Sequence, residues 1–284
     1  NLSNTIEILQ FASGIGAESL LEKALDFLLR SFQYFERTIG LNRLEKRVGR
    51  DVFSKILSAR SKGKHKPSRE PYFIGRTAHT TTQIGRWLYL LGGYYSKGTQ
   101  DPRCVPVFDS KRLEWTLLPT YGEDSKCMPE KLCFHTTCAV GDMLLAFGGG
   151  LKDDFRNDLH FLNLKSMTWE RHEVGGIPPC ERKRHSAVTI GTSSEMWVFG
   201  GRVRGTENKR LVNDLHKFDL DSMRWSEVKT FGEPPSPRCG HTMTYLPHLN
   251  KIIIIGGFTC TGLTEEGMLH ALDLATMRWE EIMP

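Results

Sequence analysis

The chain predicts a mainly β protein of four repeated four-stranded units, preceded by a small all-α region. A histidine opening a Thr/Ser-rich stretch, an apolar run closed by Gly-Gly and a tryptophan opening a short final run recur in phase. The copies are His79, Gly92-Gly93, Trp115; His135, Gly148-Gly149, Trp169; His185, Gly200-Gly201, Trp225; and His241, Gly256-Gly257, Trp279. First glycines stand 56, 52 and 56 residues apart and tryptophans 54, 56 and 54, near the roughly 50 residues of one four-stranded propeller blade. Upstream of these copies the apolar spacing changes from strand-like to helical.

Taken in order, Asn4 followed by Glu7 reads as a capping box opening a helix through Ile6, Ile8, Leu9 and Ala12, which Gly14 and Gly16 end. A longer helix is expected from Ala17 to about Phe35, with Leu20, Leu21, Ala24, Leu25, Leu28 and Phe32 on one wide apolar face. Asp51 is placed to cap another through Val52, Phe53, Ile56 and Leu57. This helical region occupies residues 1–60 and a basic polar linker residues 61–71, where Lys62, Lys64, Lys66 and Arg69 read as a solvated tether.

The blades are expected at about 72–120, 130–175, 180–230 and 236–284, each a meander of four short strands. The second runs, such as Met143 to Phe147 and Glu195 to Phe199, are nearly continuous apolar stretches, suiting strands covered on both faces. Gly-Gly follows because the chain must leave a buried strand where another backbone passes close. The tryptophan offers a large face to the adjacent blade and an indole N–H that needs one acceptor.

Residues 72–284 therefore resemble a kelch-repeat β-propeller, on four in-phase copies of Gly-Gly plus Trp. Pro178-Pro179 to Arg182 and His185, Pro234-Pro235 to Arg238 and His241, and the Asn-Asp-Leu-His runs at 157–160 and 213–216 are similar to the branch with Pro-rich blade junctions. Two departures stand out: Leu132 replaces the Arg of the other lead-ins, and blade 1 carries Val105-Pro106-Val107 in place of Asp-Leu-His. Residues 4–12 and 20–28 resemble the BACK or 3-box helices that follow a BTB domain. The chain opens on Asn1 without Met and shows four blades, so the expectation is an incomplete propeller with a BTB domain upstream, the alternative being a compact four-bladed ring. The resemblance to BTB-kelch proteins implies a substrate-recognition adaptor of a cullin-RING ubiquitin ligase. Cullin-3 would be held through the BTB and BACK parts, with homodimerisation only where the BTB domain is present. The alternative it implies is a cytoskeletal or vesicle-trafficking scaffold.

Composition narrows the function classes. The net charge of +5 lies wholly in residues 1–70, with 13 Lys/Arg against 8 Asp/Glu, while residues 71–284 balance at 25 and 25; nucleic-acid binding by the propeller is not expected. No apolar run approaches a membrane span. Seven cysteines without a C-x-x-C spacing read as reduced thiols of the cytoplasm or nucleus. The clustered Cys127, Cys133 and Cys138 read as core, with a metal or redox role as the lesser alternative. No phosphate loop or metal-ligand spacing is present, so the expectation is no enzyme, no cofactor and no metal. The blade histidines read as packing groups.

In a meander the second and fourth strands run alike, so the segments after Gly-Gly and between blades share one face. That face is the expected recognition surface. Its candidate partner-binding residues are Tyr94 and Tyr95 of blade 1, Arg156 of blade 2, Arg202, Arg204, Lys209 and Arg210 of blade 3, and Phe258 of blade 4. Aromatic and Arg side chains most often anchor protein contacts, and the basic third segment suits an acidic or phosphorylated peptide.

Overall fold

The structure, a computed structural model, describes residues 75–95, 98–99, 103–122, 127–191, 193–205, 211–260, 262–263 and 269–282, and they are strand, turn and coil throughout. The helices expected in residues 1–60 and the linker at 61–71 lie outside the described residues.

Each expected blade is an antiparallel meander. Blade 1 contains Thr77–Ile84, Trp87–Tyr95, Cys104–Asp109 and Glu114–Pro119. Blade 2 contains Thr136–Val140, Met143–Gly149, Arg156–Asn163 and Thr168–Glu170. Ser186–Thr189, Glu195–Val203, Leu211–Asp219 and Arg224–Glu227 form blade 3. Thr242–Leu246, Lys251–Ile255, Leu269–Asp273 and Arg278–Glu281 form blade 4. The apolar second strands are buried as their sequence requires, Leu144, Leu145, Ala146 and Phe147 being 0 % exposed.

A repeated turn joins the last two strands of every blade. Asp109, Asn163, Asp219 and Asp273 each accept two backbone N–H groups, two and three residues ahead, at 2.9 to 3.3 Å. Leu113, Met167, Met223 and Met277 follow at positive φ. Short Asx side chains hold such turns by mimicking a backbone carbonyl.

Leaving its outer strand, the chain lies parallel to the outer strand of the next blade before turning inward. Tyr121–Gly122 pairs with Thr168 and Trp169, Gly175–Gly176 with Arg224 and Trp225, and Phe231 with Arg278. This crossing supplies the acceptor that the indoles need: Nε1 of Trp169 donates to Thr120 Oγ1, and Nε1 of Trp279 to Thr230 Oγ1, both at 3.1 Å.

The cores sit between blades. Leu91, Val105 and Val107 of blade 1 meet Leu144, Leu162 and Trp169 of blade 2. Phe147 and Phe161 of blade 2 meet Met196, Phe218 and Trp225 of blade 3. Trp197 and Phe199 of blade 3 meet Ile252, Ile254 and Trp279 of blade 4. Trp169, Trp225 and Trp279 thus each pack on the blade before their own. Trp115 in blade 1 has no described blade there, stacks on Phe108 at 5.1 Å between centroids and is 39 % exposed.

Candidate protein-interaction face

First strands begin where second strands reach Gly-Gly, His79 lying opposite Gly92 in the register. Both therefore open on one face, and the lead-in to each blade is tied there. Nη1 of Arg76, Arg182 and Arg238 donates to the carbonyls of Gly92, Gly200 and Gly256 at 3.0 to 3.2 Å. Arg182, fully buried, also forms a bidentate pair with Asp214 at 2.8 and 2.7 Å. Burial alone would raise the Asp214 pKa, but Arg182 and His216 hold the carboxyl well below its usual range. Asn157 and Asn213 donate to the carbonyls of Pro179 and Pro235, which fixes the Pro-rich junctions of the following blades.

Three of the blade histidines, His135, His185 and His241, are buried, whereas His79 of blade 1 is exposed. His135 Nε2 bonds Thr80 Oγ1 at 3.0 Å and His185 Nε2 bonds Thr136 Oγ1 at 2.8 Å, each crossing to the preceding blade. His185 packs edge-on against Phe147 and His241 against Phe199. Burial, reinforced by the neighbouring imidazoles of His160 and His79 at His135, by Arg182 at His185 and by Arg238 at His241, pushes His135 down to about 3, His241 to about 4 and His185 well below 6.5. An unfolded imidazole protonates near pH 6.5, while these stay neutral in the fold. The unfolded state therefore binds more protons between pH 6.5 and about 4, and stability falls as pH drops through that window. Each histidine contributes about 1.4 kcal/mol per pH unit there. Thermal melts should show a midpoint several degrees lower at pH 5 than at pH 7.5; equal midpoints would mean the imidazoles titrate freely.

At the innermost edge of this face the residues just before the histidines form a chain of backbone hydrogen bonds. Phe134 N–H donates to Ala78 O at 3.0 Å, Arg184 N–H to Phe134 O at 2.9 Å and Gly240 N–H to Arg184 O at 2.8 Å. All four residues are left-handed, with φ of 59°, 54°, 56° and 66°. That conformation costs a non-glycine residue about 1 to 2 kcal/mol, and blade 4 fills it with Gly240. Phe134 and Arg184 keep large side chains in it, the Arg184 guanidinium lying 4.6 Å over the Phe134 ring, with Tyr94 6.1 Å beyond.

The expected site residues are distributed around this mouth. Tyr94 and Tyr95 belong to the second strand of blade 1, pairing with Thr99 and Gly98 in a hairpin extension. Arg202 also lies in a strand, opposite Lys183 of the lead-in. Arg156 pairs with Asp154 at 2.9 Å, and Arg204 with Glu181 at 3.5 Å. Phe258 is 50 % exposed and exchanges backbone hydrogen bonds with Cys239. Lys209 and Arg210 lie outside the described residues. Arg202, Arg204 and Arg156 thus converge between blades 2 and 3, Tyr94 and Phe258 stand to either side. The sequence reading missed Phe134, Arg184, Lys183 and Phe155. Lys183 Nζ lies 4.1 Å over the Phe155 ring and donates to the Lys152 carbonyl. The available signal was the position before each histidine, which reads Ala, Phe, Arg, Gly while its surroundings repeat.

Among the described residues no group of three or more His, Cys, Asp or Glu is placed to hold a metal. Cys138 and Cys133 are buried and their thiol pKa values are raised, Cys138 to about 12, which removes thiolate character at neutral pH.

Residues 78–284 match the KLHDC2/KLHL20/DRC7 Kelch-repeats domain family. The chain belongs to this kelch-repeat family. Among kelch relatives, mouse Kelch domain-containing protein 1 is 34 % identical over 223 residues, covering 69 % of this chain and 52 % of that protein. Human Rab9 effector protein with kelch motifs is 35 % identical over 160 residues, 54 % of this chain and 39 % of the relative. Acyl-CoA-binding domain-containing protein 4 of Arabidopsis thaliana is 32 % identical over 196 residues, 69 % of this chain and 27 % of its own length. The kelch chain therefore spans well under two thirds of these proteins.

Proposed function

We propose that this kelch propeller is a non-catalytic platform that binds a protein partner on its Gly-Gly face. The observation that carries the proposal is the contrast between four equivalent blades and the unlike side chains they present there: Tyr94 and Phe134, then Arg184, Arg202 and Arg204, then Phe258. A face built for architecture alone would repeat, as the turns and tryptophans do.

Two settings fit such a platform, in the cytoplasm or the nucleus. A vesicle-trafficking scaffold is favoured by similarity to the Rab9 effector proteins of human, cow, rat and mouse, 34 to 38 % identical. A cullin-RING adaptor, holding cullin-3 through BTB and BACK parts, rests on the resemblance of residues 4–12 and 20–28 to BACK helices. Affinity capture with mass spectrometry separates them: a cullin with RING components supports the adaptor, vesicle or small-GTPase proteins without a cullin support the scaffold. The double substitution Arg202→Glu with Arg204→Glu should reduce partner recovery about tenfold or more, while changing stability little, as substitutions away from the core usually do. Undiminished recovery would remove these arginines from the site.

A further inference from the structure

We propose that the mouth ringed by residues 78, 134, 184 and 240 binds an extended acidic peptide in which an aromatic or aliphatic residue adjoins the carboxylates. Arg184 takes a carboxylate, and Phe134 and Phe258 take the apolar side chain. This rests on the protein-interaction reading above and names the chemistry of the partner.

The ring positions share one backbone geometry, so their side chains are independent of the turn. Blade 4 shows that glycine satisfies that geometry without strain, yet Phe134 and Arg184 hold it with φ of 54° and 56°. Strained residues whose side chains are not needed by the local fold concentrate at ligand sites. Stacking on Phe134 occupies one face of the Arg184 guanidinium and leaves its N–H edge, which suits a planar carboxylate in two parallel hydrogen bonds. Arg184 is exposed, and among the described residues no carboxylate forms an ion pair with it. Arg202 adds positive charge nearby, both guanidinium groups acting on the Cys239 thiol. On the far side Phe258 flanks Gly240, its Cδ2 3.6 Å from where a Cβ on that glycine would sit. The backbone N–H groups of residues 134, 184 and 240 are spent within the ring. Recognition therefore runs through side chains, and strand addition at this edge is closed.

The test uses the full chain and fluorescein-labelled peptides of sequence Glu-Glu-Phe-Glu-Glu, Gln-Gln-Phe-Gln-Gln and Lys-Lys-Phe-Lys-Lys, read by fluorescence anisotropy at two salt concentrations. The acidic peptide should bind at least about tenfold tighter than the neutral one, as expected for hydrogen bonds to a charged partner, and should weaken with salt. Arg184→Gly should erase that preference while melting no lower than the parent, because glycine relieves the left-handed strain. Lys111→Glu, in a turn at the opposite end of blade 1, should leave binding unchanged. Equal binding of acidic and neutral peptides, or full acidic preference in Arg184→Gly, overturns the proposal. If partners are still captured from cells in that case, only the acidic chemistry falls; if capture fails too, the interaction platform falls with it.

Discussion

Valine at Gly201 is expected to destabilise blade 3 severely. A Cβ at this position would stand 2.8 Å from the His185 Cβ and 3.1 Å from the His185 Cα and N. Those atoms belong to the chain entering the adjacent strand, so no side-chain rotation clears them. The residue also holds φ of 107°, which a β-branched side chain adopts only under strain. Overpacking and strain together amount to about 2 to 5 kcal/mol, set against a net stability of about 5 to 15 kcal/mol for a domain. Circular dichroism and soluble yield would report the loss. Gly75→Val is the control, since no described residue lies within 4 Å of a Cβ there, and its effect should stay within about 0.5 kcal/mol. A Gly201 variant as stable as that control would refute the architectural role of the Gly pairs.

Removing the tryptophans should give unequal losses that report which blade faces are covered. Trp225 is 3 % exposed and stacks with Phe147 of the preceding blade at 4.8 Å and with Phe218 of its own blade at 5.2 Å. Trp225→Ala should cost about 3 to 5 kcal/mol, the usual range for a large aromatic lost from a core. Trp115 occupies the same repeat position but is 39 % exposed, with a ring contact to Phe108 of its own blade. Trp115→Ala should cost about 1 kcal/mol or less, by the smaller area it removes from water. Chemical denaturation of the two variants decides the matter, and equal losses would contradict a core lying between blades.

The propeller architecture was legible in the sequence because its signals recur: a glycine pair with no space for Cβ, a tryptophan that needs a neighbour, and an apolar second strand covered on both faces. Two repeated devices were equally present and went unread. Asp109, Asn163, Asp219 and Asp273 stand six residues before each tryptophan, and Gly122, Gly176 and Gly232 seven after. The first set closes the outer hairpins, and the second lies in or beside the crossing segments; a Cβ at Gly176 or Gly232 would strike the carbonyl of the next tryptophan. The face was legible only in outline. Strand direction gave its location, but charge and aromaticity drew attention to Arg202, Arg204 and Phe258 and away from Phe134 and Arg184. The role proposed for those two residues rests on φ and on a hydrogen-bond chain linking residues about 50 to 56 positions apart, which no local pattern encodes.

The joints between blades bear on how such a chain can change over generations. Every described joint has a giving half and a receiving half, a histidine with its lead-in carbonyl on one side and a glycine on the other, as Gly148 and Gly200 meet His185 and His241. A single repeat of 50 to 56 residues carries one of each. In-frame duplication or loss of one whole repeat therefore joins compatible surfaces again. Recombination can alter the number of blades without redesigning any contact, while point mutation at the residue before each histidine rewrites what the mouth presents.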